Sequence, residues 1–256
     1  MTSTPQRPFL LVQTRPEVDA AMAEAEAVQR LGGFADGQLT AMQLGRDLGA
    51  APDVRPDWGD LLARHAGVIL PGSPYTTSDP EDTKSALQRR VESELARMLE
   101  VVLAEDRPFL GCCYGVGTLG RHVGALVDGT YGESAGPVTV TLTDEGAADP
   151  LLAGMPADFT AYVGHKEAVT QLPEGAVVLA SGVACPVQMF RLGEHQYATQ
   201  FHPELDQAGL LERLRIYAHH GYFAPEEADA TFARIAATTA PEPPRILENF
   251  RRAYEG

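Results

Sequence analysis

The stretch Gly111-Cys112-Cys113-Tyr114-Gly115 constrains this chain more than any other. Pro108-Phe109-Leu110 ahead of it reads as the end of a buried strand, and Val116 onward reads as helix. The pattern is Gly-x-Cys-x-Gly, the cysteine form of the Gly-x-Ser-x-Gly nucleophile elbow. A strand that turns sharply into a helix crowds any Cβ at the two outer positions, so glycine is needed there. The central side chain, Cys113, is pushed out of the sheet edge at a helix N-terminus. Unpaired N–H groups and the helix dipole at such a place favour a thiolate.

The elements around the elbow set the fold class. Phe9 to Gln13 is an apolar run and the first strand. Val18 to Leu31 is alanine-rich, lacks proline and stops at Gly32-Gly33, as a helix does. A second strand is expected over 39–44 and a short helix over 58–65, with Leu61 and Leu62 inward. A third strand, Gly67 to Leu70, ends at Pro71-Gly72-Ser73-Pro74. Leu87, Val91, Leu95, Met98, Leu99 and Val102 recur at helical spacing, predicting a helix from about Pro80 to Glu105 that feeds the strand before Cys113. Strands alternating with helices in this way predict an α/β fold with a single open, mostly parallel sheet flanked by helices. Short strands are expected near 136–143, 159–163, 177–180, 187–190 and 197–201, forming a small antiparallel flank. Helices follow over 206–220, 225–238 and 244–254. One domain is expected over 1–256, with 206–256 a helical C-terminal extension.

Bulk properties exclude several classes of function. With 20 basic and 35 acidic residues the formal charge is −15. That charge repels phosphate backbones, so nucleic acid is not an expected partner. No apolar run approaches membrane-spanning length, and the polar start, Met1 to Pro8, is not a signal peptide. Three cysteines make no disulfide framework, and a working thiol suits a reducing, cytoplasmic setting. No His/Cys/Asp/Glu spacing resembles a metal site, and no cofactor is expected. Gly115-Val116-Gly117-Thr118-Leu119-Gly120 matches Gly-x-Gly-x-x-Gly, but no acidic residue follows at the distance a dinucleotide needs.

Cys113 needs a base, and Gln200-Phe201-His202-Pro203-Glu204 supplies one. Imidazole titrates near neutrality and can take a proton and return it. Residues two apart in an extended segment face the same side, so Glu204 is placed to orient His202. An oxyanion hole would draw on the Tyr114 N–H, after the nucleophile, and on a strand-end loop. In Pro71-Gly72-Ser73-Pro74 only Gly72 and Ser73 have an N–H to give. Cys112 and Cys185 are read as structural. His165 stands between lining the pocket and simple surface polarity. His219-His220 reads as a helix end.

Together, Leu70-Pro71-Gly72-Ser73-Pro74, the Cys113 elbow, Val163-Gly164-His165-Lys166-Glu167 and Gln200-Phe201-His202-Pro203-Glu204 resemble the class I glutamine amidotransferases, in order and in separation. The resemblance covers about Phe9 to His220 and is closest to stand-alone members similar to the amidotransferase domain of GMP synthase. It implies a Cys113–His202–Glu204 triad that releases ammonia from glutamine through a γ-glutamyl thioester, for use by an attached or separate synthase. The chain ends at Gly256, so a synthase is expected only as a separate partner. Two other readings stay open: a γ-glutamyl peptidase, and a non-catalytic or partner-dependent subunit. One position departs from the family pattern. Gly-x-Cys-x-Gly-x-Gln carries a glutamine that helps hold the substrate, and this chain has Gly117 there. The expectation is a vacancy at Gly117, weak binding of free glutamine, and room for a larger γ-glutamyl compound.

Overall fold

A computed structural model describes residues 7–51, 53, 55–216 and 228–255. The first half alternates strand and helix: β1 (Phe9–Val12), α1 (Val18–Leu31), β2 (Leu39–Met42), α2 (Leu44–Ala50), α3 (Trp58–Ala63), β3 (Val68–Leu70), α4 (Ala86–Ala104), β4 (Phe109–Cys112) and α5 (Tyr114–His122). The second half is strand-rich: β5 (Leu126–Asp128), β6 (Glu133–Leu142), α6 (Asp144–Ala148), β7 (Asp158–His165), β8 (Ala168–Gln171), β9 (Val177–Gly182), β10 (Met189–Leu192) and β11 (Gln196–Thr199). Helices α7 (Gln207–Ile216), α8 (Ala228–Ala236) and α9 (Pro244–Tyr254) follow.

The main sheet runs β2-β1-β3-β4-β11-β10-β9-β6-β7. Strands β2, β1, β3, β4 and β11 are parallel, and β10, β9, β6 and β7 continue antiparallel. A separate ribbon pairs β5 with β8. The chain adopts the expected mostly parallel sheet with helices on both faces and an antiparallel flank, except that the strand expected over 197–201 in that flank is β11, which pairs parallel with β4.

Period-two geometry explains the two-sided burial. Phe9 and Leu11 point into a cluster with Val28 of α1 and Phe250 of α9. Leu10 and Val12 point the other way, onto Leu44, Trp58, Leu95 and Met98. Both faces of β1 are therefore covered, which is why its sequence is uniformly apolar rather than alternating. Ile246, Leu247 and Phe250 of α9 are fully buried in the first cluster, so the last helix is part of the core around β1.

Several boundaries differ from expectation for local reasons. Helix α4 starts at Ala86 rather than near Pro80, because Ser85 caps it by accepting from the Gln88 N–H at 3.0 Å. Ahead of that cap, Thr83 N–H donates to the Pro80 carbonyl at 2.9 Å in a turn. Leu62 is buried, whereas Leu61 is only half-buried. The β5–β8 ribbon has no clear sequence signal, since its strands are short and Leu126 is exposed. The expected helix over 206–220 ends its described part at Ile216. The His219-His220 helix end and the start of the 225–238 helix lie outside the described residues.

Candidate active site

The elbow forms where β4 meets α5. Cys113 caps α5 with φ 53° and ψ −90°. A non-glycine residue at positive φ is strained and is held only where its surroundings fix it. Here the Cys113 N–H donates to the Thr199 carbonyl at 2.7 Å, tying the turn to β11. The flanking glycines are needed for space. A Cβ on Gly111 would stand 2.9 Å from the Gly115 Cα, and one on Gly115 would stand 3.2 Å from the Leu70 carbonyl oxygen. Cys113 is half-buried, while Cys112 and Cys185 are buried. Burial, with the Glu204 charge, pushes the Cys112 thiol well above its usual range. Burial, with Glu133, pushes Cys185 up to about 12.

Parallel pairing of β11 with β4, in register Thr199 to Cys112, delivers the 200–204 segment to the same sheet edge as Cys113. The His202 N–H donates to the Tyr162 carbonyl at 2.9 Å, which fixes the segment. His202 Nδ1 lies 2.6 Å from Glu204 Oε1, and both side chains are buried. Burial disfavours the imidazolium, but the Glu204 carboxylate and the Cys113 sulfur outweigh it and hold His202 up at about 9. Burial likewise works against the Glu204 anion, yet His202 and then Arg213 hold its carboxyl down at about 2. Arg213 reaches in from α7, with Nη1 3.7 Å from Glu204 Oε1 and Nη2 3.4 Å from Glu24 Oε1. Nothing in the sequence marked Arg213, because its position depends on how α7 docks.

Cys113, His202 and Ser73 line one small cavity, together with Arg15, Gly164 and Arg213. Cys113, Ser73 and Tyr114 also line a larger one with Tyr75, His165 and Glu167. Gly72 lies against the imidazole: a Cβ there would stand 2.9 Å from His202 Cε1. The Ser73 hydroxyl accepts from Thr14 Oγ1 at 2.8 Å and from the Tyr75 N–H at 3.2 Å, which fixes the loop after β3. His165 is not a surface residue. It is buried, with Nδ1 2.9 Å from the Glu167 carbonyl oxygen and Nε2 3.0 Å from Glu133 Oε2.

The model of the glutamine amidotransferase class-I family matches residues 43–210. This chain belongs to the class-I glutamine amidotransferase family. The family places its chemistry at the amide of glutamine, by hydrolysis or transfer. A GMP synthase (glutamine-hydrolyzing) of Porphyromonas gingivalis is 34% identical over 140 residues, covering 54% of this chain and 25% of that protein. The GMP synthase of Aeropyrum pernix is 30% identical over 165 residues, covering 62% and 29%. The chain thus spans a quarter to a third of the length of these relatives. A solved glutamine amidotransferase of Thermotoga maritima shares the fold with a TM-score of 0.69, at 18% identity, over 98% of this chain and 99% of that one.

Against the amidotransferase pattern, the glycine at 117 is explained by its neighbours, and the expected vacancy is corrected. A Cβ on Gly117 would stand 2.6 Å from both Glu167 Oε1 and Thr77 Oγ1. The position a Cβ would need is already filled, and the cavity that Gly117 lines, with Thr77, Glu92 and Arg121, is not one that holds Cys113. Glu167 fills that position firmly. Its carboxylate accepts from the Thr77 N–H at 2.8 Å, Thr77 Oγ1 at 3.1 Å and the Ser78 N–H at 2.6 Å. Glu167 therefore clamps the loop that runs on from Ser73. The sequence gives one hint of this, the missing glutamine, but nothing that names the residue taking its space.

Proposed function

We propose that this amidotransferase-family chain cleaves the amide of glutamine, or a γ-glutamyl amide, through a γ-glutamyl thioester on Cys113. The observation that carries this is the strained Cys113 elbow sharing a cavity with His202, whose Nδ1 is held 2.6 Å from Glu204. With the thiol proton on His202, the sulfur attacks the carbonyl carbon and a tetrahedral oxyanion forms. The N–H groups of Tyr114 and of Gly72 or Ser73 stabilise it; a single donor of this kind is typically worth about 2.7–4 kcal/mol of barrier. His202 gives its proton to the departing amine, the C–N bond breaks and the thioester remains. Water, deprotonated by His202, then cleaves the thioester and regenerates the thiol. Glu204 keeps Nδ1 protonated and supports the imidazolium throughout.

The released ammonia would pass to a synthase partner, a reading that the similarity to GMP synthases supports. A thiol nucleophile is best preserved in a reducing compartment, which supports a cytoplasmic setting. A γ-glutamyl peptidase is the alternative reading, because Gly117 offers no side-chain amide to hold free glutamine, although Glu167 and Thr77 take the place of a Cβ there. The test uses a glutamine-derived electrophile and the isolated chain. Peptide mapping should find Cys113 labelled, with Cys112 and Cys185 untouched, and Cys113→Ser should release no glutamate from glutamine or from γ-glutamyl amides. Labelling of Cys112 or Cys185, or hydrolysis that survives Cys113→Ser, would overturn the assignment.

A further inference from the structure

A second Cys/His/Glu set is made by residues other than the Cys113, His202 and Glu204 of the candidate active site. Glu133 opens β6, His165 closes β7, and the two pair across the strands. Cys185 lies between β9 and β10. One ligand atom from each of Glu133, His165 and Cys185 lies within 4.8 Å of the other two, and His165 Nε2 is 3.0 Å from Glu133 Oε2. Sulfur, imidazole and carboxylate thus converge from three separated segments at a place shielded from solvent, where the side chains of His165 and Glu133 are 2% and 7% exposed.

Hydrogen bonding fixes the state of His165. Its Nδ1 faces the Glu167 carbonyl oxygen, which only accepts, so Nδ1 carries the hydrogen. In the neutral ring Nε2 is then the lone pair, and it faces a carboxylate oxygen at 3.0 Å. Two electron-rich atoms at that distance need positive charge between them. A proton would satisfy His165 and Glu133 alone. A proton there does not involve Cys185, whose thiol faces the Val187 carbonyl oxygen at 3.5 Å. It also leaves Gln188, which is fully buried and donates from Nε2 to Glu133 Oε2 at 2.7 Å, with an Oε1 that has no hydrogen-bond partner among the described residues.

We propose that Glu133, His165 and Cys185 bind a divalent transition metal of the zinc class, with Gln188 as the outer residue that orients the Glu133 ligand. The donor set decides the class. Thiolate with imidazole suits zinc, whereas magnesium and calcium take oxygen ligands. An Nδ1–H held by a backbone carbonyl, leaving Nε2 to the metal, is how a ligating histidine is commonly oriented. Charge balances on binding: the dication replaces the thiol proton and the proton between His165 and Glu133, and both protons leave to solvent. The three-ligand set leaves a fourth position for water, with Gln188 Oε1 as an acceptor beside it. His165 also lines the Cys113 cavity. The bound ion would pin β6, β7 and the loop before β10 together behind that cavity.

Cobalt(II) tests this without reference to turnover, because a thiolate ligand gives a charge-transfer band in the near ultraviolet. Titrating the full chain should show one cobalt per chain with that band. The band should persist in Cys113→Ser, which removes the competing thiol, and disappear in Cys185→Ser. Zinc should displace the cobalt and raise the thermal midpoint of the wild type. Gln188→Ala keeps all three ligands, so it should retain the band with affinity weakened about 10- to 100-fold. It also serves as the second variant should Cys185→Ser not fold. No band in the wild type, a band that survives Cys185→Ser or is lost in Cys113→Ser, or unchanged affinity in Gln188→Ala would each overturn the proposal.

Discussion

Gly117→Ala separates two effects that predict opposite signs. Gly117 lies within helix α5. Helix propensity alone favours alanine over glycine by about 0.8–1.0 kcal/mol. The structure opposes this, because the new Cβ would stand 2.6 Å from Glu167 Oε1 and from Thr77 Oγ1, closer than carbon and oxygen pack. The far end of a free glutamate would swing away at little cost. Glu167 is not free, since three donors from Thr77 and Ser78 hold its carboxylate. A hydrogen bond to a charged group is worth about 1.5–3 kcal/mol. Losing one of the three outweighs the propensity gain and leaves a net destabilisation of about 0.5–2 kcal/mol. Urea unfolding of wild type and variant reads this directly. Groups in contact couple by about 0.5–3 kcal/mol, so the loss should shrink by that order in a Glu167→Ala background. A Gly117→Ala protein more stable than wild type by near the propensity value would refute the reasoning. It would mean that the Glu167 clamp yields freely and that the loop after Ser73 is not held by it.

Two further predictions concern His202 and its neighbours. The Glu204 carboxyl, lowered from 4.5 to about 2, contributes stability that is present above pH 4.5 and lost as pH falls toward 2. His202, raised from 6.5 to about 9, contributes stability that is present below pH 6.5 and lost as pH rises toward 9. The stability gap between wild type and Glu204→Gln should therefore be widest between pH 4.5 and 6.5 and should narrow toward pH 9; a gap that stays constant from pH 6.5 to 9 would show that the pair is not coupled as described. Arg213→Gln removes a positive neighbour that helps hold Glu204 ionised. The acid limb of kcat/KM against pH should move to higher pH, and an unmoved limb in a folded variant would remove Arg213 from the site.

What could be read from the chain follows from how locally each feature is determined. The elbow was legible because its demands are steric and fall within five residues: two glycines where a Cβ meets backbone, and one side chain forced to positive φ. His202 and Glu204 were legible for a similar reason, since two positions of one short segment carry the whole ion pair. The sheet was legible because both faces of β1 and β3 are covered and leave continuous apolar runs. Gly117 shows where this kind of reading fails. Its missing side chain reads as empty space in sequence, but a glycine reports only that a Cβ does not fit, not that nothing is there. The atoms that exclude it, on Thr77 and Glu167, come from the loop after β3 and the segment after β7. The same holds for Glu133, His165 and Cys185, which the pairing of β6 with β7 and the loop before β10 draw together with no spacing to mark them. In this fold the atoms that would break bonds lie on turns that short sequences dictate. The atoms that shape and brace the pocket meet across strands whose register only the finished sheet defines.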